Sequence, residues 1–281
     1  MLVFISGLSV FPTVESAQLV GGVSAQKKAT WWQPAADDQL QWYWQLQDPV
    51  DPSHEVDIYN IDIETPQIII DELKQRGVRL ICYLSVGTVE WFRDDAVLIP
   101  KASIGQVYDG YPDEQWLNIA DIDSLSAVML ARLDRCANKG FDAIEGDNVD
   151  AFNQESYNAA GQLVGTGTNF NISAEQSIVY IRWLAAESHK RGLGFGLKNA
   201  EALAPVLVND VDWMLIENCY VDGWCDDARV FIDANKPVFM TEYRELLRDF
   251  TPACDTARRL GYTAIWRSEA LDSNGPFERC R

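Results

Sequence analysis

Residues 140–152, GFDAIEGDNVDAF, decide the fold. The run opens on a glycine suited to stopping a helix, passes through an apolar stretch that reads as a buried strand, and then delivers Glu145, Asp147 and Asp150 within six positions. Burying carboxylates costs several kcal/mol unless they are paired, hydrogen-bonded or used in chemistry. A buried strand that ends on three of them therefore points to a site at its C-terminal end.

Outward from this run the same unit recurs. Strand-like segments stand at 41–46 (QWYWQL), 56–61 (VDIYNI), 78–84 (VRLICYL), 141–146 (FDAIEG), 193–198 (LGFGLK), 211–217 (VDWMLIE), 237–243 (PVFMTEY) and 262–267 (YTAIWR). Most are separated by helical patterns: TPQIIIDELKQRG, SLSAVMLARLDRCANKG, SAEQSIVYIRWLAAESHKRG and TPACDTARRLG. Ser173 with Gln176 forms a capping box, Pro66 and Pro252 occupy first turns, and Gly77, Gly140, Gly192 and Gly261 supply stops. Eight strands alternating with helices predict an α/β fold, a single (β/α)8 TIM-type barrel, ahead of a doubly wound open sheet. No GxGxxG follows the first strand, which removes the simplest dinucleotide-binding form of that alternative. The barrel is assigned to residues 26–281. Residues 1–25 carry a short apolar segment and small residues around Ser16 and Ala17 but no basic start, so they read as a partial secretory leader too short to span a membrane.

With 281 residues, 47% hydrophobic and 23% charged, the chain can build one large core. Its 42 acidic and 23 basic residues give a formal charge of -19, which argues against nucleic acid or anionic membranes as partners and suits either a cationic partner or plain solubility. Cys219 and Cys225 bracket a short loop, and Cys254 and Cys280 bracket the C-terminal segment; both pairs are expected disulfides and favour a secreted protein. Cys82, in a strand, and Cys136, on the apolar face of a helix, read instead as small buried hydrophobes. There is no CxxC pair, and His54 and His189 are isolated, so no metal is expected. The sequon NIS at Asn171 falls in a surface loop.

In such a barrel the active site lies at the C-terminal strand ends. Those ends carry Asp62, then Tyr83 and Ser85, Glu145 and Asp147, Lys198 and Asn199, Glu217 and Asn218, and Glu242 and Tyr243. Strand ends meet water, so any one polar residue there is unremarkable; the whole set on one rim is not. Alternation puts Glu145 and Asp147 on the face of Ala143, turns Asp142 toward the helices, and puts Glu217 with Trp213 and Leu215. Carboxylates from two strands then flank one bound group. Glycosidic cleavage requires this: one protonates the leaving oxygen while the other attacks the anomeric carbon or activates water. Aromatic residues fit a sugar polymer, with Tyr220 and Trp224 after Glu217, Trp31 and Trp32 read as stacking platforms, and Trp42 and Trp44 read as core. Competing readings are a Schiff-base lyase or aldolase using Lys198, a non-catalytic carbohydrate-binding barrel, and a weaker divalent-cation site at EGDNVD, which lacks the features of an EF-hand loop.

The motifs DIYNIDIETP, ICYLSVGTVEWFR, GFDAIEGDNVDAF, GLGFGLKNA, IENCYVDGWC and PVFMTEY together resemble the endo-α-1,4-polygalactosaminidase family, glycoside hydrolase family 114, from about Trp31 to the C-terminal segment. The resemblance implies a TIM-type barrel, cleavage inside α-1,4-linked galactosamine chains, no cofactor, a Cys219–Cys225 loop disulfide, and Asp147 with Glu217 as the catalytic pair. Gly146 stands where the family usually has proline, and Asn218 where it has glutamine; both carboxylates remain. The resulting expectation is a secreted monomer acting on a cationic galactosamine-containing polysaccharide, with Asp147 as nucleophile and Glu217 as acid/base of a retaining cleavage. Asp62, Glu145, Asp150 or Glu242 would pair with substrate ammonium groups, Lys198 would anchor a hydroxyl or hold a carboxylate, and Trp32, Tyr83, Asn148, Asn199, Tyr220 and Tyr243 would contact the sugar.

Overall fold

The computed structural model describes residues 31–157 and 163–280. Strands β1 (Trp42–Gln45) and β2 (Ile58–Asp62) follow one another without an intervening α-helix, and α1 (Gln67–Gln75) leads to β3 (Arg79–Ser85). A small antiparallel sheet comes next, β4 (Thr88–Glu90), β5 (Ile104–Tyr108) and β6 (Tyr111–Leu117), before α2 (Ile122–Lys139) and β7 (Ala143–Asp147). The hairpin β8 (Glu155–Tyr157) and β9 (Leu163–Thr166) precedes α3 (Ala174–Lys190), β10 (Gly194–Lys198), α4 (Ala204–Leu207) and β11 (Trp213–Glu217). The chain ends through α5 (Cys219–Asp222), α6 (Arg229–Asp233), β12 (Val238–Tyr243), α7 (Thr251–Leu260), β13 (Thr263–Arg267) and β14 (Glu278–Arg279).

The main sheet runs β1-β2-β3-β7-β10-β11-β12-β13-β14, parallel throughout except for β14. Each of the eight runs read from the sequence is one of its parallel strands. The sheet curls into the expected α/β barrel but leaves a seam: among the described residues no ladder joins β1 to β13. Side chains and a loop bridge it. Trp42 Nε1 donates to Thr263 O at 3.2 Å, and the backbone N–H groups of Leu46 and Gln47 donate to Leu271 O at 2.9 and 3.2 Å. Arg267 packs over the Tyr43 ring at 4.7 Å.

Period-two alternation divides the core into two layers. Trp42, Trp44, Ile58, Ile81, Ala143, Trp213, Leu215, Phe239 and Ile265 fill the barrel interior. Their neighbours along the strands, among them Cys82, Ile144, Phe195, Met214 and Met240, pack outward with Leu125, Leu133, Tyr180 and Leu184 of α2 and α3. Each large side chain so buried contributes about 1.5–3 kcal/mol. Glycines admit the bulkiest rings: a Cβ on Gly196 would lie 2.4 Å from the Trp213 ring, and one on Gly146 would lie 2.8 Å from Phe195 Cζ. The small residue at 146 is thus matched to Phe195.

Cys219–Cys225 and Cys254–Cys280 are disulfides, with Cα atoms 4.7 and 5.3 Å apart. The reading of Cys82 and Cys136 as buried thiols is corrected: they form a third disulfide, Cα atoms 6.2 Å apart, joining β3 to α2. Periodicity placed each on an apolar face but could not show that the two faces meet. Asp142 does turn away from the barrel interior, where Lys74 and Arg79 bind it at 2.7 and 2.8 Å. The leader assigned to residues 1–25 lies outside the described residues, and among those described no helix is long and apolar enough to cross a membrane.

Candidate active site

Glu145 and Asp147, alternating with Gly146 on β7, are the deeper and shallower members of one column. Glu145 is 1% exposed, and the buried Asn60 of β2 donates to its Oε2. Its Oε1 lies 3.0 Å from Lys198 Nζ, which β10 projects from the adjacent position in the ring. That ammonium also lies 3.1 Å from Asp147 Oδ1 and 3.0 Å from Glu217 Oε2 at the end of β11, and 4.8 Å over the Trp44 ring. One cation therefore bridges three carboxylates.

The outer two are oriented further. Tyr83 donates its hydroxyl to Asp147 Oδ2 at 3.1 Å, and the Asn148 N–H donates to Oδ1 at 2.8 Å. Tyr243 donates its hydroxyl to Glu217 Oε1, and Asn199 Nδ2 donates to Oε2 at 2.9 Å. The Glu217 N–H returns to Asn199 Oδ1 at 3.0 Å. Asn148, Asn199 and Asn218 each follow a strand end and have φ of 62°, 46° and 53°, a left-handed turn that asparagine adopts more readily than most residues.

Burial pushes the Glu145 carboxyl up to about 7, with Lys198 pulling it down and the Asp147 charge raising it. Burial also opposes the charge on Glu217, but the Lys198 ammonium and the Tyr243 and Asn199 hydrogen bonds outweigh it and hold that carboxyl below the usual range. For Lys198, burial is overcome by Asp147, Glu217 and Glu145, and the ammonium is held well above its ordinary pKa. Burial and then the Asp147 charge push Asp150 up to about 6.

A cleft of about 610 Å³ opens over this cluster. The inserted sheet and the loop beside it form one wall with Phe92, Tyr108 and Tyr111, the two tyrosine rings stacked at 4.9 Å. These aromatics were missed in the sequence because they belong to a barrel insertion with only short, irregular alternation. Ten carboxylate residues line the cleft against one lysine and no arginine, among the described residues. Glu114 is one of them, pushed up to about 7 by burial and accepting from Thr88 Oγ1 at 2.7 Å. A larger cavity of about 840 Å³ lies on the barrel flank beside Phe250, Trp266 and Phe277, away from these strand ends.

The structure gathers Asp62, Tyr83, Asp147, Asn148, Asp150, Lys198, Asn199, Glu217 and Tyr243 around the cleft. Four of the expected contacts do not line the cleft, and a fifth is already paired. Trp32 lies at the opposite, N-terminal end of the strands, its carbonyl against Gly194 and its neighbour Trp31 stacked on His189 at 4.0 Å. Glu242 is fully buried on the outer side of β12, where it accepts from the Tyr220 N–H at 2.8 Å; its side chain points oppositely to that of Tyr243. Tyr220 packs against the outer apolar layer rather than lining the cleft. Glu145 is committed to Lys198 and Asn60 beneath the surface. Asp62 lines the cleft, but Arg93 from the inserted segment binds both its oxygens, at 3.1 and 2.7 Å. Arg93 ends the ICYLSVGTVEWFR motif, but nothing in the sequence pairs it with a carboxylate 31 positions away.

A parallel α/β barrel with two strand-end carboxylates facing one polar, aromatic-walled cleft is an arrangement suited to a glycoside hydrolase. The chain belongs to glycoside-hydrolase family GH114, whose family model matches residues 22–281. Among solved structures it is similar to Aspergillus fumigatus Ega3 in complex with galactosamine, at 29% identity and a TM-score of 0.78, over 89% of this chain and 97% of that one. It also shares its fold with the glycoside hydrolase domain of PelA from Pseudomonas aeruginosa, at 18% identity and a TM-score of 0.58, over 84% and 96%. No curated protein sequence matches it significantly.

Proposed function

We propose that this protein is a secreted hydrolase of internal α-1,4 linkages in galactosamine-containing polysaccharide, working by double displacement with Asp147 as nucleophile and Glu217 as acid/base. The observation that carries this reading is the Lys198 bridge. Contacts of 3.1 and 3.0 Å to one nitrogen keep the facing oxygens of Asp147 and Glu217 within their sum. That separation, at most about 6 Å, accords with the roughly 5–5.5 Å of retaining enzymes better than with the 6.5–9.5 Å that leaves room for water in inverting ones.

Asp147 would attack the anomeric carbon while Glu217 protonates the departing oxygen, giving a glycosyl ester on Asp147. Glu217, now ionised, would take a proton from water as that water attacks the same carbon and frees Asp147. Tyr83 and the Asn148 N–H aim the nucleophile; Tyr243 and Asn199 aim the acid/base. The acidic lining of the cleft supports an ammonium-bearing substrate, and galactosamine is the ligand of the Ega3 structure. Three disulfides support an oxidising, extracellular location. A Schiff-base role for Lys198 is disfavoured, since three carboxylates keep its amine protonated.

The test is incubation with de-N-acetylated α-1,4-galactosamine polymer, following reducing ends and oligosaccharide masses. The parent should release short oligomers, and Asp147→Asn and Glu217→Gln should each lose at least ~100-fold while retaining polymer binding. Binding without cleavage by the parent would leave only a carbohydrate-binding barrel.

A further inference from the structure

Glu242 is a strand-end carboxylate that the proposed chemistry does not use. It is fully buried behind the cleft on the outer side of β12, and among the described residues its Oε2 has no hydrogen-bond partner. A buried carboxylate with an unsatisfied oxygen costs free energy that an apolar side chain of the same shape would not. Its other oxygen shows what it holds.

Three successive residues of β12 grip the corner where β11 gives way to α5. The Thr241 carbonyl accepts the Asn218 N–H at 2.9 Å, Glu242 Oε1 accepts the Tyr220 N–H at 2.8 Å, and Tyr243 donates its hydroxyl to Glu217. The first N–H groups of a helical turn have no acceptor within it, and the side chain at the N-cap commonly supplies one. Here the N-cap is Asn218, whose side chain makes no capping bond and whose Oδ1 is buried without a partner among the described residues. Glu242 supplies the acceptor from the neighbouring strand instead. Its carboxylate also lies within 4.8 Å of both sulfurs of the Cys219–Cys225 disulfide, which closes the same loop.

We infer that Glu242 is a positioning residue for Glu217: by holding α5 from behind, it fixes the corner after β11 and with it the carboxyl that faces the cleft. The inference rests on the proposed reading of Glu217 as acid/base. Asn218, with its left-handed φ of 53°, is the one residue between Glu217 and the turn that Glu242 holds. A shift of that turn is passed to the Glu217 backbone, whose N–H is bound to Asn199 at 3.0 Å, and takes the carboxyl out of register with Lys198, Asn199 and Tyr243. Misplacing a catalytic group by about 1 Å can cost on the order of 10²-fold in rate. Direct action on a sugar is excluded by parity, since Glu242 points oppositely to Tyr243 and does not line the cleft.

The experiment compares two substrates that differ in their need for an acid. An α-1,4-galactosamine oligosaccharide departs as a poor leaving group that needs the Glu217 proton, whereas the matching oligosaccharyl fluoride releases fluoride with little assistance. Glu242→Met, which keeps the length of the side chain and removes the acceptor, should lower kcat on the oligosaccharide ~10–100-fold with KM changed less than ~3-fold, and should lower kcat/KM on the fluoride less than ~3-fold. Glu242→Gln, whose amide oxygen can accept the same N–H, should bring both substrates back to within ~3-fold of the parent. Equal losses on the two substrates would overturn the inference and leave Glu242 a role in stability alone, as would a Glu242→Met enzyme indistinguishable from the parent. If Glu242→Met does not fold, Glu242→Asp, one methylene too short to reach the Tyr220 N–H, should show the same selective loss, and a Glu242→Gln loss above ~10-fold would overturn the inference without either. Failure of the underlying reading looks different: the parent then cleaves neither substrate, or Glu217→Gln loses both.

Discussion

Lys198 holds Asp147 and Glu217 in register while lowering the pKa of Glu217. In the proposed mechanism Glu217 must be protonated in the free enzyme to act as acid, so kcat/KM should fall as pH rises above its depressed pKa, giving an acidic profile. Lys198→Met removes the largest pull toward the ionised form. The alkaline limb of kcat/KM should then move up by at least about 1 pH unit while kcat falls ~10-fold or more, since the pair also loses its spacer. An unmoved limb would separate Lys198 from the acid/base. Glu242 makes a different prediction. Burial pushes it up to about 7, and one of its oxygens is buried without a partner. Because its folded pKa lies above the ordinary ~4.3, its contribution to stability is complete below ~4.3 and is lost as pH rises toward neutrality, by up to about 3 kcal/mol. Glu242→Gln should therefore flatten the decline in Tm between pH 5 and 8. Strand parity already held the information that Glu242 and Tyr243 cannot both face the cleft; a rim inventory taken by position alone missed it.

At the scale of elements, the eight parallel strands were legible because apolar runs, glycine stops and helix caps agreed. The inserted sheet was not. Its strands β5 and β6 pair irregularly and are largely exposed, leaving little apolar alternation to detect. Yet this insertion supplies the Tyr108 and Tyr111 wall and the Arg93 that claims Asp62. The third disulfide was likewise hidden, because facing surfaces of a strand and a helix cannot be paired from two periodicities read separately. It links positions 54 apart and lies in the layer behind the strands, away from the cleft. Chain-entropy arguments assign such a link about 4 kcal/mol, with 2–4 typical in practice. Cys82→Ala with Cys136→Ala should lower unfolding stability by about 2–4 kcal/mol in denaturant titration, with kcat changed less than ~2-fold. A large loss of kcat would mean that β3 shifts when untied and carries Tyr83 with it.

For the whole molecule, the formal charge of -19 takes on direction once the cleft is seen to collect ten carboxylates. Substrate attraction at this range is screened over about 10 Å at 0.1 M salt and about 3 Å at 1 M. Raising NaCl from about 0.05 to 0.5 M should lower kcat/KM on a fully deacetylated polymer ~10-fold, mainly through KM, and much less on a highly acetylated one. Equal losses on both would uncouple the charge from recognition. Composition suited either a cationic partner or plain solubility; only folding showed which acids Arg93 and Lys198 neutralise.

The seam between β1 and β13 gives the ring a built-in place to open. Elsewhere, separating neighbouring parallel strands breaks a ladder; here it costs the Trp42 to Thr263 bond, the two N–H bonds to Leu271 and the packing of Arg267 on Tyr43. Slow amide-proton exchange should therefore be least persistent along this border and most persistent across β3, β7 and β10, where the ladders are continuous. The cylinder behaves as a rolled ribbon fastened along one edge, and the strands β7 and β11 that carry Asp147 and Glu217 lie away from the fastening.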